Sequence, residues 1–379
     1  MKKIIEFMKS EAVLVISVML AVVSAFFVPP DGEYLAYIDF RTLGILFSLM
    51  TVVAGFRGLG VFNLMAQTLL KRVRNVRQLV LILVLLCFLL SMLITNDVAL
   101  LTFVPFTFVL LELSGEEAER RWLITAVVMQ TIAANLGSML TPLGNPQNLY
   151  LYGKSGMSLS QFLALMLPYS VTSLALLLVW WLVKGRKSTA SLSVSFPEPA
   201  LIEGHGKRLA MYCVLFVLCL LVVLRVINSW IWVAAAVLLC AAVFDRRTLR
   251  CVDYSLLITF TGFFVFIGNL GRIPFFSSLL CSIVENNEVL TAVAASQVIS
   301  NVPAALLLSG FTDNCSALVV GTNLGGLGTL IASMASLISY KQLAAKYPDK
   351  KGKYLLVFTA ANAAFLAVLV CEYFLLRAV

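Results

Sequence analysis

Histidine occurs once among the 379 residues, at His205, and the chain contains no H-E-x-x-H, no G-x-S-x-G and no histidine beside a nucleophile. Intramembrane zinc or serine hydrolysis therefore has little support. The eight cysteines never fall in a C-x-x-C pair; Cys87, Cys219, Cys240 and Cys371 stand singly inside apolar runs, as small packing residues rather than disulfides or transition-metal ligands. Charge is scarce as well. Charged residues make up 12% of the chain, against about 25% in a soluble domain, which excludes water-soluble enzymes, nucleic-acid binders and disordered tails. What fills the chain instead is apolar: 61% of it is hydrophobic, and at roughly 20 residues per crossing that leaves room for about ten spanning elements. The expected class is an all-α polytopic membrane protein without nucleic-acid partners.

Apolar runs delimit the elements. The charged start, Met1 to Lys9, followed by Ala12 to Val28, imitates a signal peptide, but it ends in Pro29-Pro30-Asp31 without an A-x-A site and reads as the first span. A first half, residues 1–183, carries a long run at about 79–113 interrupted by Thr95-Asn96-Asp97. A second run at about 122–152 is interrupted by Gly137-Ser138 and by Thr141 to Pro146. The hydrophilic stretch 184–208 reads as a linker. A second half, residues 209–379, repeats the scheme, with a run at about 281–311 broken at Ser300-Asn301 and another at about 316–340. Three matches recur in the same order: Ile38-Asp39-Phe40 with Val252-Asp253-Tyr254, Asn96 with Asn301, and Asn135-Leu136-Gly137 with Asn323-Leu324-Gly325. Paired broken segments in two halves point to a transporter binding site.

Charge gives the direction. If the two Asn-bearing runs are re-entrant hairpins, a cytoplasmic N-terminus puts the linker inside and the C-terminus outside. All of the 28 Lys and Arg then lie inside except Arg41, Lys154, Arg225, Arg272 and Arg377. The net charge of +9 reflects this bias before it reflects any acidic partner. The same count makes the two repeats inverted, each with one hairpin and one discontinuous helix.

Polar groups that persist at the breaks are the functional candidates, because they are expensive in hydrocarbon. In the first half these are Asn96, Asp97, Thr141, Asn145 and Asn148; in the second, Ser300, Asn301, Thr322, Asn323, Thr329 and Ser333. Each has a plainer reading, a hydrogen bond to a neighbouring helix, and for Asp97 a helix cap. Pairs at matching breaks favour function. Helix N-termini at the tips suit anions, and C=O ends with side-chain oxygens suit Na+ or a proton. No Lys or Arg lies in either tip or in the broken segments. The run Gly321 to Gly328 allows close helix approach and an unwound turn rather than nucleotide binding.

The stretches Ser91 to Pro105, Asn135 to Asn148 and Ser296 to Pro303 resemble the ion transporter superfamily, and within it the citrate-transporter-like and arsenite-permease-like permeases of the bacterial inner membrane, related to the divalent-anion/Na+ symporters. The resemblance covers nearly the whole chain. It implies a homodimer and an elevator-type transporter, whose hairpins and discontinuous helices carry the solute past a scaffold. The symporters' tips read Ser-Asn-Thr; here they read Thr95-Asn96-Asp97 and Ser300-Asn301-Val302, keeping the Asn and losing the final Thr. The expected solute-binding residues are Thr95, Asn96, Thr141, Pro142, Asn145, Ser300, Asn301 and Thr329. The expected coupling-ion residues are Asn96, Asp97, Gly137, Asn148, Asn301, Asn323, Gly325 and Ser333, with Na+ at the tips, or H+, and no other cofactor. The expected function is secondary active transport of a small anionic solute coupled to Na+ or H+, with a Na+/H+ antiporter or metalloid efflux permease using Asp97 as the alternative and an intramembrane enzyme or an uncoupled channel as the less favoured readings from another class.

Overall fold

The computed structural model describes residues 11–70, 73–185 and 205–378, all helix and connecting turns with no strand among them. The charged start and most of the expected linker lie outside the described residues. In chain order the first half contains α1 (Ala12–Phe27), α2 (Tyr34–Tyr37), α3 (Phe40–Gly58), α4 (Val61–Leu70), α5 (Val76–Ile94), α6 (Asn96–Leu113), α7 (Glu116–Ser138), α8 (Pro146–Ser155) and α9 (Leu159–Gly185). The second contains α10 (His205–Val223), α11 (Trp230–Phe244), α12 (Arg246–Leu249), α13 (Tyr254–Gly271), α14 (Pro274–Asn286), α15 (Glu288–Ile299), α16 (Asn301–Ser309), α17 (Cys315–Leu324), α18 (Met334–Lys346) and α19 (Lys351–Ala378).

Seven of the described helices are long and apolar enough to cross a membrane, and large apolar side chains such as Phe26, Phe27, Trp232, Leu239 and Leu356 face outward. An outward face of that kind is stable only in lipid, so the chain is a multi-pass membrane protein. The expected breaks fall where punctuation places them. Asn145, followed by Pro146 at the first helical position, caps α8 by accepting from the Asn148 N–H at 3.1 Å; Asn314 caps α17 through Ala317 in the same way. The aspartates that open α3 and α13 share one geometry. Asp39, at φ −79° and ψ 82°, accepts from the Thr42 N–H, and Asp253, at φ −79° and ψ 83°, accepts from the Leu256 N–H, each at 2.9 Å.

The two hairpins differ in length. α15 and α16 have 12 and 9 residues, about 18 and 14 Å at 1.5 Å each, so neither crosses a 30 Å hydrocarbon layer alone. α5 and α6 have 19 and 18 residues, enough to cross, so length alone does not mark the first hairpin as re-entrant.

Candidate solute and ion site

Both hairpin tips turn on a residue that pays for its conformation. Thr95 and Ser300 each sit at φ 74°, with ψ 148° and 154°, a region that glycine occupies and that costs another residue about 1–3 kcal/mol. The next residue at each tip is stitched to the helix break of its own half. The Asn96 N–H donates to the Gly144 carbonyl at 3.1 Å, and the Asn301 N–H donates to the Ala332 carbonyl at 2.9 Å.

The breaks are bonded to each other across the halves. Asn135 Oδ1 accepts from Asn96 Nδ2 at 3.1 Å and from the Ser333 hydroxyl at 2.9 Å, while Asn135 Nδ2 donates to Ser336 Oγ at 3.2 Å. Reciprocally, Asn323 Oδ1 accepts from Asn145 Nδ2 at 3.1 Å, and Asn323 Nδ2 donates to Asn148 Oδ1 at 2.6 Å. Each asparagine before a break thus holds the first and fourth residues, counted from the N-cap, of the helix that follows the other break. Close packing keeps this register. A Cβ at Gly137 would stand 2.0 Å from the Phe88 carbonyl oxygen, and one at Gly325 would stand 2.6 Å from Ser296 Oγ.

A cavity of about 540 Å³ opens beside the first tip. Its wall is mostly aliphatic, from α3 (Leu46, Leu49, Val53) and α6 (Val98, Leu101), with Met334 and Ile338 from α18. Its polar groups are Thr95, Asp97, Asn145, Asp253 and, at the rim, Arg57. Asp97 Oδ1 is buried with no hydrogen-bond partner, and the Asn96 side chain, not Asp97, accepts from the first-turn N–H of α6. Asp97 is therefore not a cap. Asp253 is one, yet only through one oxygen, whereas Asp39 also accepts from the Thr42 hydroxyl with its second oxygen.

Of the expected residues, Thr95, Asp97 and Asn145 line the cavity. Asn96, Asn148, Asn323 and Ser333 are buried in the cross-half network, and Asn301 and Ser300 are buried at the second tip beside Ala332. The Thr141 hydroxyl donates to the Met92 carbonyl, Pro142 is buried in the same turn, and the Thr322 hydroxyl donates to the Leu318 carbonyl within α17. Thr329 is exposed and bonded to Gln297, so it serves the loop rather than the cavity. Sequence reasoning passed over Asn135 and Ser336, although Asn135 was visible as the echo of Asn323, and it passed over Arg57, Asp253 and Gln297 as site residues.

A model of the citrate transporter family matches residues 4–314. The inner membrane protein YbiR of Escherichia coli is 33% identical over 323 residues, 84% of each chain. A transporter of Methanocaldococcus jannaschii is 31% identical over 311 residues, 82% of each chain. The silicon efflux transporter LSI3 of rice is 32% identical over 158 residues, 40% of this chain and 31% of the rice protein.

Proposed function

This chain belongs to the citrate transporter family, and we propose that it is a secondary active transporter that moves a small anionic solute across the bacterial inner membrane, coupled to Na+ or H+, by alternating access. One observation carries this reading. Two strained tips and two helix breaks, built alike in the two halves, are bonded across the halves beside a cavity that holds an unpartnered carboxylate. The matched geometry supports inverted repeats, residues 1–183 and 209–379, joined through the 184–208 linker. Since Arg57, Cys251 and Asp253 sit next to basic segments assigned to the cytoplasm, the cavity belongs to an inward-facing state. An elevator movement of the hairpins and broken helices in a homodimer is the mechanism we infer.

The cavity's charges argue for coupling. With both carboxylates ionised and one guanidinium at the rim, the wall is net negative, so an anion enters with a cation or a proton beside it. The same carboxylates favour a second reading, proton-coupled efflux of a weakly acidic metalloid hydroxide; the rice relative is, by its name, a silicon efflux transporter. Flux in proteoliposomes with product analysis decides. The solute should emerge unchanged, accumulate only with a Na+ or H+ gradient, and drive the cation inward; cation movement in the opposite direction would select the efflux reading.

Two further results are expected. Single-cysteine labelling of a Cys-free protein should reach the 184–208 linker only from the cytoplasm, and labelling from outside in intact cells would sink the inverted topology. Asn96→Ala and Asn301→Ala should each weaken solute binding by about 1–2 kcal/mol without unfolding, as for a lost hydrogen bond near a charge. Unchanged calorimetric affinity in both would move the solute away from the tips.

A further inference from the structure

Among the described residues, Gln147 alone has a side-chain oxygen and nitrogen that are both buried without a hydrogen-bond partner, and it is 0% exposed. It lies in the first turn of α8, just past the break. The face it occupies follows from its helix. Tyr150 and Lys154, three and seven positions on, share that face. The Tyr150 hydroxyl pairs with Ser309 Oγ at 2.9 Å, and Lys154 Nζ donates to the Ser309 carbonyl, both at the far end of α16. α8 starts at the first break, which Asn145 bonds to Asn323, and α16 starts at the second tip, whose Asn301 N–H is bonded to Ala332 in the second break. The two helices meet at their far ends, so they run in the same direction, which places Gln147 on the side of the start of α16, at the second tip.

The first tip is built from the corresponding pair, α6 and α18, which meet at their far ends where the Tyr347 hydroxyl donates to Glu112 at 2.7 Å. There the tip helix carries Asp97 and the broken helix carries Ala335 in the position of Gln147. At the second tip, Val302 takes the place of Asp97 and the polar group stands on the broken helix as Gln147. It has changed sides and lost its charge. A carboxylate repels an oxyanion, and a carboxamide donates to one.

We propose that Gln147 is a solute-binding residue of the second tip: Nε2 donates to an oxyanion group of the solute, Oε1 accepts from a hydroxyl or protonated oxygen on it, and Asp97 at the first tip keeps the coupling cation. The assignment rests on the transport reading above. In this structure the amide is covered, because α13 packs against α16 and the Tyr150 ring lies 5.5 Å from Phe264 and 6.5 Å from Phe260. Parting of that contact on the outer side uncovers it.

Gln147→Met and Gln147→Glu test this, with citrate, succinate, sulfate and silicic acid as probes in proteoliposomes and melting of the purified, solute-free protein as a second measurement. For whichever anion the wild type carries, the Met variant should raise KM at least about tenfold with cation dependence unchanged, as for a lost charge-assisted hydrogen bond. The Glu variant should lose more. A Glu variant that carries the anion as well as the wild type, or a Met variant with unchanged KM, overturns the assignment. Solute-free, the Met variant should melt at or above the wild type, since it removes an orphaned amide. A lower melting temperature means that water already satisfies the amide, and the assignment falls. If the wild type carries none of the probes while the Met variant melts higher, the transport reading falls and the orphaned amide stands.

Discussion

Asp97→Asn should leave the protein folded and move the cation dependence of its transport to far higher concentration. The substitution keeps shape and removes charge at a carboxylate whose Oδ1 is buried without a partner beside the cavity. A carboxylate at that depth has to be cation-bound, paired or protonated, and no Lys or Arg among the described residues makes an ion pair with it. Losing a charged ligand of this kind costs about 1.5–3 kcal/mol, so the cation concentration for half-maximal uptake should rise about 10- to 150-fold. Asp253→Asn should do less, because the capping bond to the Leu256 N–H survives in the amide. Uptake measured against Na+ at two pH values checks both variants. An Asp97→Asn protein with wild-type Na+ and pH dependence would mean that the coupling ion binds elsewhere.

The helix breaks were legible because they are written in local chemistry. Asn145-Pro146 and the aspartate caps at Asp39 and Asp253 act within a few residues, and the structure places helix starts at each. The cross-half partners were not legible. Spacing along the chain says nothing about which asparagine meets which, and Asn135 reaches Ser333 only through the meeting of two breaks far apart in sequence. Thr329 misled for the opposite reason: a polar residue at a break looks like a ligand, but Gln297, on the adjacent hairpin, takes both its N–H and its hydroxyl. Asp253 was visible in the sequence only as the echo of Asp39; that it caps α13 and also lines the cavity needs the sight of α3 and the first tip around that cavity. Local signals therefore reveal where the backbone stops, and tertiary contacts decide which polar groups remain free for a ligand.

Gly137→Ala should be among the most damaging single methyls in the described residues. The added Cβ would stand 2.0 Å from the Phe88 carbonyl oxygen and 2.7 Å from Ser91 Oγ, and a carbonyl inside α5 cannot rotate aside. α5 must back away from α7, carrying the first tip with it. Asn135, two residues before Gly137, then loses its hold on Asn96 while still bonded to Ser333, so the first tip parts from the second break. Overpacking of this kind costs about 1–3 kcal/mol and more where backbone is the obstacle, enough to lower the melting temperature by several degrees and to abolish uptake. Gly325→Ala meets Ser296 Oγ at 2.6 Å, which can rotate away, but also Ser296 Cβ at 2.7 Å and the Gly321 carbonyl oxygen at 2.8 Å, which cannot, so its cost should still be about 1–3 kcal/mol. The two cases separate under a second substitution. Ser296→Ala should restore part of the stability lost in Gly325→Ala, whereas Ser91→Ala should restore little in Gly137→Ala, because the Phe88 carbonyl stays where it was. Full rescue by Ser91→Ala would show that the hairpin does not rest on the α7 backbone as the close approach at Gly137 requires.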